Sequence, residues 1–277
     1  MRMRKKVESV VKLRDAIQIF NSKTNRKQFV FINASDDKSP RPSKLVSDTF
    51  TERPRRCAIV GNSGILLGSQ CGKDIDTHDF VLRMNLAPFG RDYADDVGSR
   101  TTMTTMNRVQ LMQSVRCAEN QTRYAAVPAS PLCVDLLRRL RDVGNGIVWY
   151  TKGGFRDRLD VAATWVHRNG QGSGREDIRW AYSPRVMEGI CAKLWKNRNP
   201  STGLIAFSLA SLFCDEISLY GFYPFERDSS NRTISYHYYE PESSMNFVYN
   251  KHRMPIEFRI FKLFARMGGS LVTDPCR

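Results

Sequence analysis

An apolar run, "CAIV" at 57–60, breaks onto a glycine-spaced turn, "GNSGILLG" at 61–68, and a second apolar run, "FVLRMN", follows at 80–85. Short unbroken apolar runs of this kind are strands covered on both faces, the habit of a parallel sheet. Glycines let the backbone turn sharply and come close to a ligand, and a helix start after them offers N–H groups to an anion. The turn is neither the GxGxxG of dinucleotide folds nor the GxxxxGK[ST] of P-loop triphosphatases. The second strand also ends on Asn85, where a dehydrogenase would set an acidic residue for the ribose. Asn62, Ser63 and Asn85 are therefore candidate polar contacts to some other nucleotide. A plain capped turn would read the same.

Further strands are read at "GIVWYT" (146–151), "EISLYGF" (216–222) and "SLVT" (270–273). Helical patterns lie between them. "PLCVDLLRRLRDV" puts Leu132, Leu136, Leu137, Leu140 and Val143 on one face. "STGLIAFSLASLFC" opens with capping residues and stays apolar, as a buried helix does. "PIEFRIFKLFARMGG" sets Pro255 at the first helical position and glycines at its end, with Ile256, Ile260, Phe261 and Phe264 apolar. The alternation predicts an α/β domain with a mostly parallel central sheet flanked by helices, and ligands at the carboxyl ends of its strands. The packed domain should begin at Arg55 or Arg56. Residues 1–54 read as a partly disordered tail with a short helix over Val7–Phe20.

A net charge of +15 directs attention to acidic partners: nucleic acid, phosphorylated ligands, sialylated glycans or an anionic membrane surface. No zinc-finger spacing, RNP-type aromatic motif or block of consecutive basic residues supports nucleic acid. No apolar run of about twenty residues occurs, so nothing in the sequence reads as a membrane span. Three sequons, at Asn33, Asn120 and Asn231, favour the secretory pathway. The seven cysteines leave at least one outside any intramolecular pair.

The chemistry-bearing residues cluster late in the chain. Ser201, Thr202 and Gly203 open a helix, where hydroxyls and backbone N–H groups can hold a phosphate or carboxylate, or simply cap. His237 lies among tyrosines in "SYHYYEP", and His252 shortly precedes Glu257 in "KHRMPIE". Histidine is the side chain best suited to act as a neutral base near pH 7, although a lone one is more often structural. Asp74 and Asp76 form a DxD, a pair that elsewhere holds a metal against a diphosphate. Here they read as a solvated helix end.

With those residues in view, the chain resembles the animal sialyltransferases, most closely their α2,8 branch. "CAIVGNSGILLGSQCGKDIDTHDFVLRMNLAP" is similar to the large sialylmotif and "PSTGLIAFSLASLFCDEISLYGFYPF" to the small one. "HYYE" resembles the third motif, and His252 with Glu257 the very short His-x4-Glu motif. Four motifs in order across 55–277 make residues 55–277 the expected catalytic domain. The resemblance implies a single GT-A-like, Rossmann-like variant domain, CMP-sialic acid as donor and no metal. It also implies a Golgi-luminal type II protein whose anchor is absent from this chain, with homodimerisation open.

Carried onto this sequence, the resemblance gives Asn62, Ser63 and Asn85 the CMP moiety. Ser201, Thr202 and Gly203 take the ribose and the sialic acid carboxylate region, and Gly221, Phe222, Tyr223 and Pro224 border the cytidine pocket. His237 would stabilise the departing phosphate, His252 would be the base, and Glu257 would orient. It pairs Cys57 with Cys214 and Cys71 with Cys276, leaving Cys117, Cys133 and Cys191 free or buried. The basic stretch 155–198 corresponds to a region thought to guide anionic chains in polysialylating members, and equally reads as a solvated surface. Met84 and Tyr223 stand where many α2,8 members have Cys and Trp, which leaves the acceptor open between sialylated glycoprotein and glycolipid. Transfer with α2,3 or α2,6 linkage to galactose or N-acetylgalactosamine, and an inactive glycan-binding protein of the same fold, stay as alternatives.

Overall fold

The computed structural model describes residues 2–10, 16–21, 56–123, 130–151, 155–170, 178–183, 186–240 and 252–276. Its strands are β1 (Gln18–Asn21), β2 (Arg56–Val60), β3 (Phe80–Arg83), β4 (Met103–Met106), β5 (Ile147–Tyr150), β6 (Arg179–Tyr182), β7 (Glu216–Tyr220) and β8 (Ser270–Val272). They form one sheet in the order β1-β6-β5-β4-β3-β2-β7-β8. From β6 to β8 every neighbouring pair is parallel. β1 alone is antiparallel, on the β6 edge. The sheet is therefore mostly parallel, as the alternation predicts.

The helices are α1 (Arg2–Glu8), α2 (Gly72–Asp76), α3 (Ala94–Val97), α4 (Arg108–Arg123), α5 (Pro131–Asp142), α6 (Arg156–Gly170), α7 (Val186–Trp195), α8 (Thr202–Ala210) and α9 (Met254–Arg266). Alternate strand residues go to opposite faces, so both faces need cover. Cys57 and Ile59 pack into a core shared with α7, α8 and α9. Ala58 and Val60 face a second core with Ile65, Ile75, Tyr220 and Tyr238. A third core joins β4–β6 to α4, α5 and α6. α8 is apolar all round because Leu204 to Ala210 are all buried.

Chain direction across the sheet reverses between β2 and β7. From β2 the chain runs outward through β3, β4, β5 and β6, then returns to place β7 on the other side. A crevice opens at such a switch point, beyond the carboxyl ends of the two strands. The glycine turn after β2 and the turn after β7 meet there.

Several expectations need correction. The helix read over Val7–Phe20 is replaced by α1 and by β1, whose Gln18–Asn21 pair with Arg179–Tyr182. Val7, Ala16 and Ile17 are buried in the first core, so part of the stretch before Arg55 packs with the domain. Residues 22–55, with the Asn33 sequon, lie outside the described residues. Asn120 is exposed on α4 and Asn231 is exposed in a loop. Leu132 is exposed on α5, and the adjacent Cys133 takes the inward position. β4 and β6 had no counterpart in the sequence reading.

The two disulfides implied by the resemblance are present, Cys57–Cys214 and Cys71–Cys276. Cys117 and Cys133 are not free; they join α4 to α5. Cys191 is buried, and its thiol donates to Ser208 Oγ. Cys57 and Cys214 are 157 residues apart, so their bond removes much freedom from the unfolded chain. Replacing both with alanine is expected to cost about 4 kcal/mol in guanidinium unfolding under non-reducing conditions. A loss below about 1 kcal/mol would show that sheet packing alone holds β2 to the end of α8.

Candidate active site

The crevice at the switch point is built first from backbone. Gly61 donates its N–H to Tyr220 O (2.7 Å), and Ser63 donates to Gly221 O (3.2 Å), so the turns after β2 and β7 are sewn together. A Cβ on Gly61 would lie 2.4 Å from Gly221 O, and Gly221 itself has φ +69. Both positions require glycine. The resulting pocket holds about 880 Å³ of empty space, part of it open to solvent.

Asn62 reaches across to the end of β3, donating from Nδ2 to Met84 O (3.3 Å) and to Tyr239 Oη (3.5 Å). Its Oδ1 is buried without a partner among the described residues. Ser63 Oγ accepts from Ile65 N–H at the start of a short 3₁₀ turn. Asn85 sits in the left-handed region (φ 54), which asparagine tolerates. Thr105 of β4 holds it twice, accepting from Asn85 N–H (2.7 Å) and donating to Oδ1 (3.2 Å). Just before it, Arg83 is buried and donates to Arg100 O from Nε and Nη2. Burial lowers its guanidinium to about 10, with Tyr238 and Asp76 pulling the other way.

The other wall comes from two helix starts. Ser201 caps α8, its Oγ accepting from Leu204 N–H (3.1 Å). That hydroxyl also donates to Glu257 Oε2, while Ser201 N–H (2.8 Å) and Asn197 Nδ2 (2.9 Å) donate to Oε1. Glu257 stands in the first turn of α9 and is 1% exposed. Burial pushes its carboxyl above the usual carboxylate range, and those bonds only partly offset it. One side chain thus ties the α8 cap to the α9 start.

Two histidines face the pocket from different elements. His252 precedes α9, and its Nδ1 lies 3.2 Å from Asn199 O. A carbonyl only accepts, so Nδ1 carries the proton and the neutral ring keeps its lone pair on Nε2. His237 sits in the loop after β7 with Nδ1 2.7 Å from Glu240 Oε2. Its ring stacks with Tyr236 (centroids 4.1 Å) and with Tyr239 (5.0 Å).

Asn62, Ser63 and Asn85 line this one pocket together with Ser201, Thr202 and Gly203. So do Gly221, Phe222, Tyr223 and Pro224, with His237, His252 and Glu257. The structure brings all the residues predicted to bind substrate, catalyse or orient to one place. Sequence reasoning missed Met84, Tyr236, Met254, Phe258 and Phe261, which complete the lining. It also missed Tyr239, which touches both Asn62 and His237. Asp74 and Asp76 are not in the lining. Asp74 accepts from Tyr220 Oη, and Asp76 accepts from the N–H groups of Ser99 (2.8 Å) and Arg100 (2.9 Å).

The model of glycosyltransferase family 29 (sialyltransferase) matches residues 3–268. The chain belongs to this sialyltransferase family. A curated Xenopus tropicalis protein named alpha-N-acetylneuraminide alpha-2,8-sialyltransferase is 32% identical over 268 residues, 89% of this chain and 69% of the frog protein. The crystal structure of a mammalian sialyltransferase shares the fold, with a TM-score of 0.55 at 20% identity over 99% of this chain and 95% of that one. A mammalian sialyltransferase structure in complex with Gal-beta-1-3GalNAc-ortho-nitrophenol gives 0.54 at 20% identity, over 99% and 96%. As a family 29 sialyltransferase, the protein transfers sialic acid from CMP-sialic acid.

Proposed function

We propose that this sialyltransferase forms α2,8 linkages, inverting the anomeric centre as it moves sialic acid onto a terminal sialic acid of a glycoprotein or glycolipid. The observation that carries the reading is the 32% identity to the frog α2,8 enzyme across 89% of the chain. In this reading the catalytic domain is residues 55–277 together with the α1 and β1 segments that pack with them. In this reading the protein works in the Golgi lumen, and the three disulfides support an oxidising compartment.

The proposed roles are those that the family resemblance implies, placed on the residues of this pocket. Asn62, Ser63 and Asn85 hold the CMP moiety, and Asn62 Oδ1 has an acceptor to offer a donor hydroxyl. Thr202 and Gly203 turn the α8 N-terminus toward the carboxylate and ribose region, with Ser201 fixing the helix start. Phe222, Tyr223 and Pro224, following Gly221, border the cytosine. CMP is a good leaving group, so the work lies in stabilising charge on its phosphate and delivering the acceptor hydroxyl. His237 stands to stabilise charge on the phosphate, with Glu240 against its Nδ1. His252 Nε2 takes the hydroxyl proton as the new bond forms on the opposite face from the departing CMP.

No metal is needed for a single phosphate with these donors. The test is transfer from CMP-sialic acid in EDTA to acceptors ending in α2,3-sialyl-galactose, in an α2,8-disialyl cap, or in plain galactose. Product on the sialylated acceptors alone is the expected result. Product on plain galactose alone would refute the linkage, and recovery only with Mn2+ would refute the metal-free chemistry.

A further inference from the structure

An acceptor that ends in sialic acid carries a carboxylate about a sugar's width from the hydroxyl that reacts. The pocket lining contains no lysine or arginine among the described residues. A cation that serves that carboxylate therefore stands outside this lining.

We propose that Arg139 is the recognition site for the acceptor's terminal carboxylate, held in register with the reacting centre by the stacked rings of Tyr236, His237 and Tyr239. This deepens, and rests on, the α2,8 reading above. Tyr236 and His237 line the pocket, and their rings stack at 4.1 Å. Tyr239 also stacks with His237, at 5.0 Å and 15° between planes. The Arg139 guanidinium lies over the Tyr239 ring, 5.5 Å from its centroid. Cation and histidine thus stand no farther apart than those last two spacings taken end to end, the scale of one sugar with its side chain.

Arg139 is pre-aimed. Its Nε donates to Asp135 Oδ2 (2.7 Å), which fixes the plane of the fork. Its two Nη atoms have no hydrogen-bond partner among the described residues, and its side chain is 25% exposed. A planar guanidinium fork suits a carboxylate. Asp135 does not cancel the local charge, because Arg138 shares it. Tyr239 Oη, meanwhile, receives Asn62 Nδ2, so the same ring ties this cation to the donor side.

The experiment compares kcat/KM for an acceptor ending in sialic acid with that for the same acceptor as its C1 methyl amide, which removes the charge. Wild type is expected to prefer the acid about tenfold, and Arg139→Gln should bring that ratio close to one. Arg139→Lys should retain part of it. Arg253→Gln, an exposed cation beside His252, serves as the control and should leave the ratio as in wild type. CMP affinity, read by calorimetry, confirms that each variant is folded. An Arg139→Gln enzyme that keeps the wild-type ratio, or an Arg253→Gln enzyme that loses it, overturns the assignment while leaving α2,8 transfer standing. A wild type active on plain galactose but silent on both sialylated acceptors removes the α2,8 reading and this site with it.

Discussion

Replacing His252 with alanine is expected to lower kcat for sialyl transfer by about a thousandfold while leaving the affinity for CMP within about threefold of wild type. The first figure is the usual contribution of a positioned general base. The second follows from where His252 sits. Its ring hangs on Asn199 O through Nδ1, outside the sewn turns after β2 and β7 that form the nucleotide side of the pocket. His252→Asn sharpens the test, because an amide can still donate to Asn199 O but has no basic lone pair. It should be as slow as the alanine variant. Turnover in either variant near wild type would remove His252 from the base role. A parallel loss of CMP binding would mean that the residue shapes the donor pocket instead.

The parts of this site that the sequence made readable are those with local signatures. Glycine turns, helix caps and short apolar strands are written in consecutive residues, and β2, β3, β5, β7 and β8 were found that way. β4 was hidden because its core, Thr104 and Thr105, is polar. Those hydroxyls are buried and serve the backbone and side chain of Asn85 and the backbone of Leu86. β6 is only four residues long and is set in a charged stretch, and β1 occupies a segment with a weak helical period. Tyr239 was missed for a different reason. Its role comes from touching Asn62, 177 residues away, and Arg139 on α5, and no local pattern encodes either contact. The Cys117–Cys133 pair was invisible likewise, since connectivity depends on how α4 and α5 pack.

Glu257 has the second large expected effect, and there the geometry decides between two opposite substitutions. Its carboxyl receives Ser201 N–H, Ser201 Oγ–H and Asn197 Nδ2, all inside the protein. Glu257→Ala strands those donors in a buried place, at an expected cost of about 3 kcal/mol. It should also raise the KM for CMP-sialic acid about tenfold, because Ser201 then no longer fixes the α8 start at the pocket. Glu257→Gln is different. Burial already holds the carboxyl above its ordinary 4.5, so the protonated form is favoured relative to water. A glutamine copies that form, accepting at one atom and donating to Ser201 Oγ from the other, and should cost less than about 1 kcal/mol. The sign of the pH effect follows. As pH rises from 4.5, the unfolded chain gives up this proton first, so the folded state binds more protons and its stability falls until the raised folded value is passed. Unfolding of wild type and Glu257→Gln, measured across that window, should show this downward slope in wild type and a flatter one in the variant. Equal losses for alanine and glutamine, or a stability that rises with pH in wild type relative to the variant, would mean that the carboxylate charge itself holds α8 against α9.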